Sequence, residues 1–247
     1  MATVSGPCRF DGPAIRAVGA WTPENSPVTR CHQLLDDEER ARLAKIASIV
    51  RFKKGDNIYS DGKPASILFN IISGNVKTYK ITRDGSEHIV AFLYPLDLFG
   101  LSEKACYANS AKALTHVTAY ALPVASLRHQ LSRDSTLEFS FVEKLCHSLR
   151  QSQDHALILT EKHGLPKLAM FLQTQERLQS CRGEPTGEIY LPMGRTDIAK
   201  YIGISLGALS RGFHALAARG VITNRDRHHV KIINREAFEE LAGRPNG

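Results

Sequence analysis

"RTDIAKYIGISLGALSRGFHAL", residues 195–216, is the stretch on which the reading of this chain turns. Apolar Ile198, Ile202, Ile204, Leu209, Phe213 and Leu216 recur at helical spacing on one side of two short segments that meet at Gly203. Ser205 stands where the second segment needs an N-cap. The other side of that segment carries Leu206, Gly207, Ser210, Arg211 and His214, with no acid among them. Gly207 and Gly212 sit inside this helical pattern although each costs about 1 kcal/mol against alanine. An apolar inner face and a pared-down basic outer face, behind a shorter helix and a tight turn, predict a helix–turn–helix whose second helix enters the major groove. In that role Arg211 has the fork that bridges guanine O6 and N7, and Ser210 can meet several bases. Gly207 lets the backbone come close but reads nothing itself. Thr196, Lys200, His214, Arg219, Arg225, Arg227 and Lys231 are assigned to phosphates, which hold register and carry salt dependence. Taken singly, each of these seven is equally a solvated surface residue.

Charge supports an anionic partner. The 247-residue chain has a formal net charge of +7. Between Arg195 and Arg235 there are eight Lys and Arg residues against Asp197 and Asp226, so six of the seven excess charges lie in that segment. Such an excess fits nucleic acid or a membrane surface, and also a merely solvated face. The apolar share of 43% is that of a globular protein. Five cysteines, Cys8, Cys31, Cys106, Cys146 and Cys181, are widely spaced with no C-x-x-C pair, which argues against a zinc ribbon. The N-terminal residues lack the apolar core of a signal peptide, and no apolar run reaches the roughly 18 residues that span a bilayer. A reduced, cytoplasmic, membrane-free setting is expected.

Upstream the pattern changes twice. Residues 1–30 are rich in Gly, Pro and Ser and read as a loose arm. "LLDDEERARLAKIASIV" (34–50) predicts a helix with its acids at the positive end of the dipole. From Val50 to Pro123 short apolar runs alternate with Asp61-Gly62, Ser73-Gly74 and Asp84-Gly85, the pattern of antiparallel strands in a barrel or jelly roll. Residues 132–163 then hold no Gly or Pro. Within them Val142, Leu145, Leu149, Ser152, Ala156 and Leu159 step by threes and fours, the seam of two helices packed along their length. A helix lying on its own barrel would show a similar stripe. "HGLP" (163–166) breaks the helix, and a helix, a strand, the two helices around Gly203 and the strand pair "VITNRDRHHVKIIN" follow. The predicted fold is α+β: the arm, a jelly-roll barrel over 31–132, a long dimerisation helix over 133–162 and a winged helix–turn–helix over 163–247.

"FKKGDNIYSDGKPA", "ISGNVKTYKITRDGSEHIVAF", "LDLFGL", the long helix and "RTDIAKYIGISLGALSR" together resemble the Crp–Fnr family of bacterial transcription regulators, from about Leu35 to Leu241. The strongest likeness is to the Fnr/FixK branch, whose recognition helix shows E-x-x-S-R. Ser210 and Arg211 fill the last two positions and Gly207 replaces the glutamate. The resemblance implies a cyclic-nucleotide-binding-like barrel as sensor, a homodimer on a palindromic site, and contact with RNA polymerase. "ITRDGS" (81–86) is similar to the family's polymerase-contacting loop and implies an activator, though the same turn is also plain hairpin chemistry.

The resemblance also bears on effectors. The stretch that would cradle a cyclic nucleotide is "FGLSEKACYANSAKA" (99–113), which places Gly100, Leu101 and Ser110 at the effector pocket. Asn109 stands where an arginine would neutralise the phosphate, which argues against cyclic AMP. Only Cys31 lies near the branch's N-terminal cysteine cluster, and Tyr120 occupies the expected barrel cysteine, which argues against an iron–sulfur cluster. Haem, with Cys31-His32, His88, His116 or His155 as ligands, and a small organic effector stay open. Cys106 or Cys146 is a candidate redox thiol or, more plainly, a buried inert one. The competing class is a cupin-like jelly-roll metalloenzyme. Against it, the barrel offers no H-x-H, only Glu87-His88.

Overall fold

A computed structural model describes residues 42–180, 182 and 187–243. The N-terminal arm, Cys8, Cys31-His32, Cys181 and residues 34–41 of the first predicted helix lie outside the described residues. Two four-stranded antiparallel sheets form the jelly roll. One has the order β1 (Ser48–Phe52), β8 (Val117–Pro123), β3 (Ile67–Ser73), β6 (Leu98–Phe99). The other has the order β2 (Asn57–Tyr59), β7 (Ser110–Ala113), β4 (Val76–Ile81), β5 (Glu87–Leu93). The helix predicted over 34–50 is corrected at its end: Arg42, Leu43 and Ala44 are helical, but Ile49 and Val50 belong to β1, opposite Tyr120 and Ala119 of β8. β-Branched residues flanking a sheet edge outweigh a local helical spacing.

Each sheet is covered on both faces, so each strand pair serves two cores. Between the sheets lie Tyr59, Phe69, Ile71, Val76, Leu93, Phe99 and Tyr107. Outside the first sheet, Leu68, Tyr120 and Leu122 meet Leu43 and helices α1 (Val124–Leu131) and α2 (Ser135–Thr160). This is why β3 and β8 read as nearly continuous apolar runs rather than alternating ones. Outside the second sheet, Ile89, Phe92, Tyr94 and Leu114 join the core of the C-terminal region. A bulge at Val90, where Thr78 pairs with Ala91 and Tyr79 with Ile89, puts Ile89 and Phe92 on that same outer side.

Helix α2 starts at the N-cap Asp134, whose side chain accepts from Leu137 N at 3.1 Å, and runs 26 residues, about 39 Å. Its Leu137, Phe141 and Lys144 are buried against the barrel side, and Ile158 joins the C-terminal core. Helix α3 (Gly164–Ser180) follows after a three-residue break, with Pro166 in its first turn, where no intrahelical bond is lost. Beyond it stand β9 (Glu188–Tyr190), α4 (Arg195–Ile202), α5 (Leu206–Ala218), β10 (Ile222–Asn224), β11 (His229–Ile232) and α6 (Arg235–Ala242). The three strands make one antiparallel sheet in the order β10-β11-β9. Helix α6, which has no counterpart among the predicted elements, is capped by Asn234 and tied back by Arg235, whose two Nη atoms donate to Glu176 at 2.7 and 2.6 Å.

Candidate nucleic-acid interface

Local chemistry aims α5. Gly203 ends α4 in the left-handed region, φ +69°, which an L side chain adopts only with strain. Two residues later Ser205 Oγ accepts from Ala208 N at 3.1 Å and starts α5. Leu209, Phe213 and Leu216 are buried, worth about 1.5–3 kcal/mol each. That more than offsets the cost of the two glycines. The glycines have different reasons. A Cβ at Gly212 would stand 3.0 Å from Leu168 Cδ2, so Gly212 is what lets α5 and α3 approach. Gly207 is exposed, and a Cβ there would meet only Arg211 Nη1 at 3.5 Å and Ser205 Oγ at 4.0 Å. Packing does not require a glycine at 207; the outer face simply carries no side chain there.

Gly207, Ser210, Arg211 and His214 are all exposed and form one stripe at i, i+3, i+4 and i+7 along α5. Thr196 is exposed in the first turn of α4. Arg219 is the C-cap of α5, about 18 Å along the axis from Gly207. Arg225, Arg227 and Lys231 are exposed on the β10–β11 hairpin, and Arg225 Nη1 is 3.4 Å from Glu188 Oε1. Lys200 is set apart. Its Nζ lies 3.2 Å from Glu87 Oε1 of β5, on the barrel side of α4.

Two features of the interface had no sequence assignment. Asp226 shapes the hairpin tip: Oδ1 accepts from His228 N and His229 N at 2.6 and 2.8 Å, and Oδ2 faces His229 Nδ1 at 2.8 Å. These bonds, from His228 first, hold its carboxyl at about 2. An Asp three residues before the strand is the signal that could have found it. The Arg195 guanidinium lies 3.4 Å from the centre of the Phe213 ring. Burial pulls it down to about 10, and its Nη1 is buried with no hydrogen-bond partner among the described residues.

The other predicted sites are placed as follows. Val142, Leu145, Leu149 and Leu159 are 45–59% exposed, and Ser152 and Ala156 are exposed between them. The seam therefore does not lie on its own barrel. In the barrel, Gly100 (φ +90°) is buried, and a Cβ there would stand 3.0 Å from Ile67 O and 3.3 Å from both Phe69 and Tyr107. Ser110 Oγ accepts from Asp61 N at 3.0 Å, whereas Leu101 is exposed. Tyr59 and Tyr107 stack at 3.9 Å, and Tyr59 Oη donates to Asn109 Oδ1 at 3.2 Å. Burial pushes both phenols up. His88 and His116 are exposed, and His155 is stacked on Tyr201. Cys106 and Cys146 are free and exposed, which corrects the reading of either as buried. Among the described residues no group of three or more His, Cys, Asp or Glu is placed to hold a metal, and no helix is long and apolar enough to cross a membrane.

Barrel, long helix and winged helix–turn–helix together are the architecture of a DNA-binding regulator with an N-terminal sensor domain. Residues 49–134 match the family model for the cyclic nucleotide-binding domain, and residues 166–241 match that for the Crp-like helix-turn-helix domain. The chain is 29% identical over 189 residues to the nitrogen fixation regulation protein FixK of Bradyrhizobium diazoefficiens, covering 76% of this chain and 79% of the relative. It is 28% identical over 193 residues to the transcriptional activator protein FnrA of Stutzerimonas stutzeri, covering 77% and 79%. The solved structure of FixK2 from Bradyrhizobium japonicum superposes with a TM-score of 0.73 at 27% identity, covering 79% of this chain and 97% of that one. The chain belongs to the Crp–Fnr family of transcription regulators, on its Fnr/FixK branch. It is a DNA-binding transcription regulator; the relatives are regulators, not enzymes, and the metalloenzyme reading is set aside.

Proposed function

We propose that this protein is a cytoplasmic homodimer that binds a palindromic DNA site and activates transcription. The observation that carries the reading is the exposed stripe of α5, backed by a fully buried apolar face. Ser210 and Arg211 read base edges while Gly207 brings the backbone close. Thr196, His214, Arg219, Arg225, Arg227 and Lys231 meet phosphates. The exposed apolar stripe of α2 pairs with its copy, which sets two α5 helices one turn of duplex apart. The division of labour follows residues 31–132 for the sensor, 133–162 for the dimer helix and 163–247 for DNA.

Activation rests on the β4–β5 hairpin. Residues 81–86 are exposed, and Asp84 organises them by accepting from Ser86 N at 3.3 Å and Ser86 Oγ at 2.9 Å, and from Thr82 Oγ1. Hydrogen bonds, from Thr82 first, hold its carboxyl at about 2, and the same bonds order the exposed loop that would meet RNA polymerase. Asn109, which stands where the resemblance puts a phosphate-pairing arginine, accepts from the Tyr59 hydroxyl and carries no positive charge, which supports a regulator that does not answer to cyclic AMP. Selection of duplexes from a random pool, with sedimentation of the complexes, tests the reading. A two-fold symmetric consensus bound by two chains is expected, and a protein that ignores every duplex at low salt overturns it. Native mass spectrometry with an absorption spectrum reports any haem or small effector on the same sample.

A further inference from the structure

The barrel and the DNA-binding region are joined at a face that neither the DNA stripe nor the dimer seam uses. Lys77 of β4 has its ammonium 3.0 Å from Glu87 Oε1 of β5 and 2.8 Å from Asp197 Oδ1 of α4. The same Glu87 oxygen accepts from Lys200 Nζ at 3.2 Å. Two cations and two carboxylates therefore cancel across the junction, joining residues 113 and 120 positions apart in the chain. Lys77 is 7% exposed. Burial alone would lower its ammonium, but the bonds to Asp197 and then Glu87 win and leave it raised. Burial likewise pushes Glu87 up, and Lys77 and Lys200 more than reverse that. Charges this desolvated are held only where their partners are fixed.

The contact continues below the charges. The Tyr201 ring lies 3.7 Å from the His155 ring at 3°, and 4.9 Å from Phe92, while His155 Nε2 is 2.8 Å from Tyr201 O. Lys167 Nζ donates to Leu159 O at 3.1 Å and Ile202 O at 3.3 Å, tying the ends of α2 and α4 together. Helix α4 is thus gripped by the barrel, by α2 and by α3. Thr196 and the α5 stripe stay exposed, so the grip does not cover the proposed DNA surface.

We propose that the Lys77–Glu87–Asp197–Lys200 cluster is a positioning latch that fixes the direction of α5 relative to the dimer helix and thereby sets the half-site spacing the protein accepts. The inference rests on the dimeric, palindrome-binding reading. It also moves Lys200 from the phosphates to the latch. Two recognition helices on one duplex must both be oriented at once. A domain left on the short link after Thr160 pays that orientation on binding and gives the second half-site a lower effective concentration. A single half-site carries no such requirement.

The test is the double variant D197N/K200Q, which keeps the net charge and leaves the Lys77–Glu87 pair whole. Dissociation constants are measured by fluorescence anisotropy on three probes: the palindrome selected by the wild type, the same duplex with one half-site scrambled, and the palindrome with its spacer changed by one base pair. The palindrome is expected to be bound about tenfold more weakly, with a smaller penalty for the altered spacer. The single half-site is expected to change less than about twofold. K77M attacks the latch from the barrel, leaves the sequence of the DNA-binding region unchanged, and is expected to give the same pattern; it decides the matter if the double variant does not fold. Palindrome affinity within about twofold of wild type overturns the latch. So does an equal loss on the single half-site, which would return Lys200 to a phosphate. A wild type that selects no duplex sinks the DNA reading instead, and is told apart by failing before any variant is made.

Discussion

Helices α2 and α5 leave opposite kinds of surface uncovered. On α2 the exposed stripe is apolar, Val142, Leu145, Leu149 and Leu159, while the polar Ser140 and Lys144 are buried. On α5 the apolar stripe is buried and the exposed one is small and cationic. Both stripes follow the same three-and-four spacing, so periodicity alone does not tell what each meets. The chemistry of the uncovered side does. An apolar stripe of this length cannot stay in water without cost and calls for another protein surface, its own copy being the symmetric solution. A stripe stripped of bulk and acid calls for a polyanion.

The contrast is broken most severely at α2. Leu149→Glu puts two like charges at the centre of the seam, and the protein is expected to sediment as a monomer. Affinity for the palindrome is expected to fall more than about 100-fold, since the second half-site no longer benefits from the first. A dimer surviving in sedimentation at micromolar protein would remove the seam assignment.

At α5 the expected effects are smaller and selective. Arg211→Ala should cost about 1–3 kcal/mol on the selected site and relax preference at one base pair of each half-site. An unchanged base preference in a repeated selection would move Arg211 to the backbone. Gly207→Glu tests the same face by addition. The position is exposed, and a Cβ there would meet only Arg211 Nη1 at 3.5 Å and Ser205 Oγ at 4.0 Å, so the substitution starts without a backbone clash. It restores the glutamate of the branch signature, and the expected outcome is a new preference for cytosine at one position, read by selection from random duplexes. If the consensus stays as it was, the missing glutamate is not what sets this protein's site.

The difference in legibility between the two ends of α4 has a physical cause. Ser205 as cap, Gly203 as turn and Ile198, Ile202, Leu209, Phe213 and Leu216 as inner face all follow from local spacing, and all are found in place. Local chemistry is written in neighbouring residues. Asp197 and Lys200 look the same in sequence as any helix-surface pair, because their partners lie more than a hundred positions upstream. The same limit explains β1: whether Ile49 and Val50 extend or coil depends on β8, which the local window does not contain. Exposure of the seam was legible only as one of two alternatives, since a stripe does not say whether its own barrel covers it.

The smallest expected effect separates reading from holding on the DNA side itself. Lys231 lies on β11, opposite Thr223 on one side and Glu188 on the other, on a different element from the α5 stripe. Its charge can therefore add affinity without adding sequence information. Lys231→Ala should weaken selected and scrambled duplexes by the same factor and reduce the slope of log affinity against log salt by about 0.9 for each phosphate that Lys231 neutralises. Arg211→Ala should instead change the ratio of selected to scrambled binding. If Lys231→Ala changes that ratio as well, the hairpin reads bases. The division between a helix that specifies and a wing that only holds would then fail.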